Sequence, residues 1–148
     1  MDKIPIGSIV PHLAALRPTA RCSEIILCDG TVLEDCRRIR SLVTALARHY
    51  AVDLVALRQL CGQMLHRRNY LPLPLAAGLL LVPLPMAESP ERVGYVNYLC
   101  IESTGKKDTP WLKLTGGAEI NCFLSKATLA NRLLAARYAG MAWKNCRY

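Results

Sequence analysis

The chain reads as a single α+β domain over residues 1–148, with one mixed or antiparallel sheet and about three main helices. Three observations predict this. The order strand–turn–strand–helix occurs twice, over residues 24–50 and 110–142. The stretch LPLPLAAGLLLVPLPMA (71–87) has no charge yet holds four prolines, which suit extended chain better than helix. The composition, 52% hydrophobic and 20% charged over 148 residues, is enough to bury a core and lies far from disorder.

Residues 1–23 precede the first recognisable strand and are expected as a flexible arm of this domain. Their sequence lacks the basic start, apolar run and small-residue cleavage site of a secretory signal. EIILCDGTVL (24–33) reads as strand, turn, strand, with Asp29-Gly30 suited to the positive φ angles of a tight hairpin. Asp35 then suits a helix N-cap, followed by CRRIRSLVTALARHY. Ile39, Leu42, Val43, Leu46 and Tyr50 recur at steps of three and four and give that helix one apolar face. A second helix is expected from Asp53 through LVALRQLCGQMLHRR, with Leu57, Leu60, Cys61, Met64 and Leu65 inward and Gly62 a mild fault.

The uncharged run 71–87 is shorter than the roughly 20 apolar residues a membrane span needs. Its interior prolines would each cost a helix about 3 kcal/mol. A short buried strand at about 78–82 between extended flanks is expected instead, inside a soluble, cytoplasmic protein without a membrane partner. AESPER reads as a loop, VGYVNYLCI (93–101) as a strand and STGKKDT as a polar turn. PWLKL, the glycine pair and AEINCFL give strand, turn, strand. SKATLANRLLAARYAGMAW follows as a helix, with Ser125 as N-cap and Gly140 near its end.

Seven cysteines, at 22, 28, 36, 61, 100, 122 and 146, form no CxxC pair. An odd, scattered set fits reduced thiols used as small apolar residues. Zinc would need two close ligand pairs, and only Cys61 with His66 approaches one. No metal or other cofactor is expected. GxSxG, P-loop, HExxH and dinucleotide-binding glycine patterns do not occur. His12, His49 and His66 have no evident nucleophile or carboxylate partner, so an enzyme is not expected.

The net charge of +8 is unevenly placed. Residues 36–70 carry seven arginines against Asp53 alone, a local +6, and residues 120–148 carry five cations and no acid. Clustered arginine attracts phosphate by Coulomb forces and can grip it bidentately. Two such segments in a small chain point to a polyanion partner.

Two constellations could carry that role. In LARHYAVDLVALRQL (46–60), Ala47, Ala51, Val52, Leu57 and Leu60 fall at helix-turn-helix offsets, which would put Arg58 and Gln59 on a recognition helix. A plain helical hairpin gives the same pattern. In the last helix, projection puts Leu129, Ala130, Leu133, Leu134, Ala136 and Met141 on one stripe, with Arg137 projecting into it. Thr128, Asn131, Arg132 and Ala135 lie opposite. Asn and Arg there could bond phosphates or bases. Lys126 opposes the helix dipole, a conflict that a bound phosphate would resolve.

From LRQLCGQML through NYLPLPLAAGLLLVPLPMAESPERVGYVNYLCI, LKLTGGAEI and SKATLANRLLAARYA, the chain resembles the competence transcription factor (ComK) family over about residues 54–142. Val82 stands where the family has Phe before a proline, and Tyr95 or Tyr98 stands for its Trp. The resemblance implies a bacterial DNA-binding activator of DNA-uptake genes. It would bind paired A·T-rich boxes through the minor groove and assemble from several copies. Such grooves are narrow and strongly negative, and they attract arginine, of which this chain has 13 against 6 lysines.

The expected function is therefore sequence-preferring binding of double-stranded DNA in transcriptional regulation. Its expected contacts are Lys126, Asn131 and Arg132, the basic loop and strand with Lys106, Lys107 and Lys113, and Arg58, Arg67 and Arg68. Two alternatives stand beside it. One is a protein-interaction adaptor whose basic surface meets an acidic partner. The other is an RNA binder using Tyr95, Tyr98 and Trp111 as stacking platforms.

Overall fold

The computed structural model describes residues 2–87, 92–106 and 108–146, with backbone only for Asn145 and Cys146. The chain runs α1 (Ile6–Ile9), a 3-10 turn (Val10–His12), β1 (Leu13–Pro18), β2 (Ser23–Leu27), β3 (Val32–Asp35), α2 (Ile39–His49) and α3 (Leu54–Leu65). It continues through β4 (Leu73–Ala76), β5 (Leu79–Pro85), β6 (Val93–Asn97), a second 3-10 turn (Tyr98–Cys100) and β7 (Ile101–Lys106). It ends with β8 (Pro110–Leu114), β9 (Glu119–Asn121) and α4 (Lys126–Cys146). The strands form a six-stranded antiparallel sheet, ordered β3-β2-β1-β6-β5-β4, and a three-stranded one, β7-β8-β9. The α+β class holds. Both strand–turn–strand–helix units are present, but their hairpins lie in different sheets.

The large sheet is covered on both faces. On one, Leu16, Ile25 and Leu81 pack with Leu42 and Leu46 of α2 and Leu57 and Cys61 of α3. On the other, Ile26, Val82, Leu84 and Val96 pack with Leu112 and Ile120 of the small sheet and Leu129 and Ala136 of α4. Strands buried on both faces read as continuous apolar runs, not as alternation. That is why residues 71–87 carry no charge. A register shift between Leu13 and Ala15 puts Ala14 and Ala15 on one face and returns Leu13 and Leu16 to the other.

The uncharged run is a hairpin, β4–β5, and not the single strand expected. Pro74 sits in the edge strand β4. Pro83 and Pro85 lie past Leu81, the last residue β4 pairs, where β5 has only β6 beside it. Prolines at such an edge leave no ladder bond unmade. Among the described residues no helix is long and apolar enough to cross a membrane.

Other expectations need correction. Residues 1–23 are not an arm, because β1 lies inside the large sheet between β2 and β6. The chain before it is tied down as well: the Ile4 amide donates to Asp35 Oδ2 at 2.7 Å, and Arg37 Nη2 donates to the Ile4 carbonyl at 2.6 Å. Asp35 does not cap α2. It ends β3, wholly buried, and takes Arg37 through both oxygens at 3.0 and 2.8 Å. A bidentate guanidinium plus two amides is a stronger set of partners than one cap bond, and Arg38 becomes an N-cap without a side-chain bond. In the following helix, Asp53 does cap, accepting from the Ala56 amide at 3.1 Å, while Leu60 is exposed.

The expected strand 93–101 breaks at Asn97. Its buried amide donates to the Leu13 and Gly78 carbonyls and accepts from the Leu80 and Leu99 amides. The chain turns there and enters the small sheet as β7, which absorbs part of the expected polar turn. Ser89 and Pro90 of the expected loop lie outside the described residues.

Candidate nucleic-acid interface

Antiparallel pairing brings the C-terminal ends of β1, β3 and β5 and the N-terminal ends of β2 and β6 to one end of the large sheet. The segments emerging there carry arginines. Arg21 lies in the β1–β2 turn, Arg38 and Arg40 at the start of α2, and Arg92 ahead of β6. With Arg58 of α3 they line one cleft of about 640 Å³, floored partly by Ile39, Val43 and Tyr95. All five are exposed.

Three further clefts continue from it. Arg58 and Arg68 line one of about 230 Å³ with Tyr70 and Pro83. Arg58 joins Arg67 and Arg68 around another of about 770 Å³. Arg40 joins Lys3, Arg37 and Arg48 around a third of about 480 Å³. Arg58 and Arg40 thus link all four into one track, and among the described residues no Asp or Glu lines any of them. The ion pairs formed among the described residues are Arg17–Glu24 at 3.0 Å and Arg37–Asp35 at 2.8 Å. The Asp35 carboxylate therefore neutralises Arg37, and no ion pair among the described residues engages the other cations of the track.

Arg132 lines none of the four clefts but touches Tyr70, which lines one of them. Its guanidinium lies 4.0 Å over the ring of Tyr70, within reach of a cation–π attraction. Burial lowers its pKa, with the Tyr70 side chain opposing and the Arg67 charge adding to the shift. Nη1 is buried without a hydrogen-bond partner. An N–H buried without a partner is a cost to the fold of about 1–3 kcal/mol.

The helical projection misplaced Arg132. It is half-buried, with Ala135 buried one turn further on, whereas Ala130, Leu134 and Met141 of the expected inner stripe are exposed, as is Arg137. α4 carries apolar residues all round, so spacing alone could not select its inner face; contact with α3, β4 and β5 selects it. Ser125 does cap the helix, its Oγ accepting from the Thr128 amide at 3.1 Å. Gly140 lets Leu80 close in, since a Cβ there would stand 2.9 Å from the Leu80 methyl.

The remaining expected contacts are scattered. Lys126 and Asn131 are exposed on α4, and Lys106 is exposed at the end of β7. Lys113 is exposed on β8 opposite Glu119. None of them lines the four clefts, and Lys107 lies outside the described residues. The structure thus brings together Arg58, Arg67, Arg68 and Arg132. Sequence reasoning missed Arg21 and Arg92, isolated along the chain, and gave Arg38, Arg40, Arg48 and Tyr70 no place in a site. The density of arginines in 36–70 was the available signal for three of these. Cys61 is buried and His66, in a left-handed helix cap, is exposed. Burial pushes the Cys61 and Cys122 thiols up to about 11.

No family model matches the chain, and no curated protein or solved structure matches it.

Proposed function

We propose that this protein binds double-stranded DNA with a sequence preference, as a cytoplasmic transcriptional regulator of the ComK-like kind. The observation that carries the reading is the track of arginines through four clefts joined by Arg40 and Arg58, with no Asp or Glu among the described residues that line it. A polyanion laid along it would meet cations at every step and no described carboxylate. The predominance of arginine favours narrow, A·T-rich minor grooves. Self-association has a candidate surface in Leu134, Tyr138 and Met141, which are 65%, 56% and 59% exposed at helical spacing along α4.

Electrophoretic shifts with A·T-rich and G·C-rich duplexes test this. The A·T-rich duplex should bind more tightly. Arg58→Ala, at an exposed residue shared by three clefts, should weaken binding about tenfold without altering the melting temperature. A chain that shifts no duplex even at low salt is the adaptor, and one that prefers single-stranded RNA in competition is the RNA binder. Either result would overturn the proposal.

A further inference from the structure

The central cleft has features that a duplex does not require. Five guanidinium-bearing side chains, Arg21, Arg38, Arg40, Arg58 and Arg92, ring about 640 Å³, inside the range of small-ligand sites. They come from four separate stretches of chain, so no local sequence effect gathers them. Like charges round one concavity repel, and an anion inside reverses the sign of that energy. The start of the 11-residue helix α2 lies on the same wall, with Arg38 at its N-cap making no side-chain cap bond to its first amides. The half-buried ring of Tyr95 and the apolar side chains of Ile39 and Val43 supply a partly apolar floor.

The number of cations selects the anion. A phosphodiester brings one negative charge per phosphate, and a convex duplex can place few phosphates inside a concavity. A chain of linked phosphates brings several charges into one cleft, its terminal group alone carrying about −1.5 to −2 at pH 7. We infer that this cleft is a binding site for a compact polyphosphate, the shared chemistry of a nucleotide triphosphate tail and of free inorganic polyphosphate. The forked guanidiniums take the oxygens of successive phosphates, and the α2 amides take one terminal group. This site stands whether or not the wider track carries DNA, because its ligand is measured with no nucleic acid present.

Titration calorimetry of the full chain at fixed ionic strength tests it, using sodium tripolyphosphate, ATP and orthophosphate. Tripolyphosphate should bind with one-to-one stoichiometry and at least about a hundredfold more tightly than orthophosphate. Arg38→Gln with Arg40→Gln should weaken it at least about tenfold, and Arg21→Gln, on an exposed turn, should weaken it in the same direction. Lys113→Gln, outside the cleft, should not. ATP binding tighter than tripolyphosphate, with the difference abolished by Tyr95→Leu, identifies the nucleotide as the source. Equal binding of the two identifies the phosphate chain alone. Equal weak affinity for all three anions, or affinity unchanged by the arginine variants, overturns the site.

Discussion

Asp35 shows how far one residue's partners decide its role. Its position before a helical pattern predicts a cap. Instead, its wholly buried carboxylate ties β3 to Arg37 and to the Ile4 amide, holding residues 2–4 against the sheet. Burial alone would raise its pKa, but the bonds from Arg37 and Ile4 outweigh that and lower it from 3.8 to about 2. A lowered folded-state value stabilises the fold above the unfolded pKa, and the gain is lost as pH falls from about 4 towards 2. The shift corresponds to about 2 kcal/mol. Asp35→Asn should cost about 3 kcal/mol at pH 7, because it strands the Arg37 charge in a site 15% exposed. It should also remove this part of the acid sensitivity. Urea melts at pH 7 and near pH 3 check both expectations. An Asn variant as stable as the parent at pH 7 would show that the pair holds nothing. Sequence could not reveal this residue's role, since Ile4 and Asp35 are 31 positions apart.

At the scale of elements, the three long helices and the β2–β3 and β8–β9 hairpins were legible, whereas the β1–β2, β4–β5 and β7–β8 pairings and the division into two sheets were not. Apolar periodicity placed α2 and α3, the second helix begins after Asp53 as expected, and Ser125 caps α4 as expected. The β2–β3 hairpin turns at Gly30, which alone of the Asp29-Gly30 pair takes positive φ, at +90°. Nothing local marks that this turn rests on the β8–β9 turn of the other sheet. Gly116, at φ +93°, has no room for a side chain: a Cβ would stand 2.5 Å from the Cys28 carbonyl oxygen and 2.5 Å from the Gly30 nitrogen. Both obstacles are backbone, so no rotamer relieves them. Gly116→Ala should therefore destabilise the protein by about 2–4 kcal/mol, from left-handed strain and overpacking together. Gly117→Ala has the same φ of +93° but open space around its Cβ, and should cost only about 1–2 kcal/mol. Thermal melts of the two variants separate the contributions. Equal losses would mean that the two turns do not press together.

For the whole molecule, the sequence showed that the charge is segregated but not where it meets. Arg21 and Arg92 belong to neither basic segment, yet sheet pairing places them beside Arg38, Arg40 and Arg58. Lys106 and Lys113, grouped with the site by charge alone, belong to the small sheet and line none of the track's clefts. This division has a measurable consequence under the proposed DNA-binding role. Each phosphate neutralised by a cation releases counterions, so log affinity falls with log salt by about 0.9 per contact. Arg58→Gln and Arg68→Gln should each flatten that slope by about 1 and weaken A·T-rich and G·C-rich duplexes alike, if both act on phosphate. Lys113→Gln, facing Glu119 across the β8–β9 ladder, should leave the slope within error. The double variant Arg58→Gln/Arg68→Gln should flatten it by about 2, because separate phosphate contacts add. A slope changed by Lys113 and untouched by the two arginines would move the interface from the end of the large sheet to the face of the small one. The track of linked clefts would then be a solvated surface, and the reading built on it would fall.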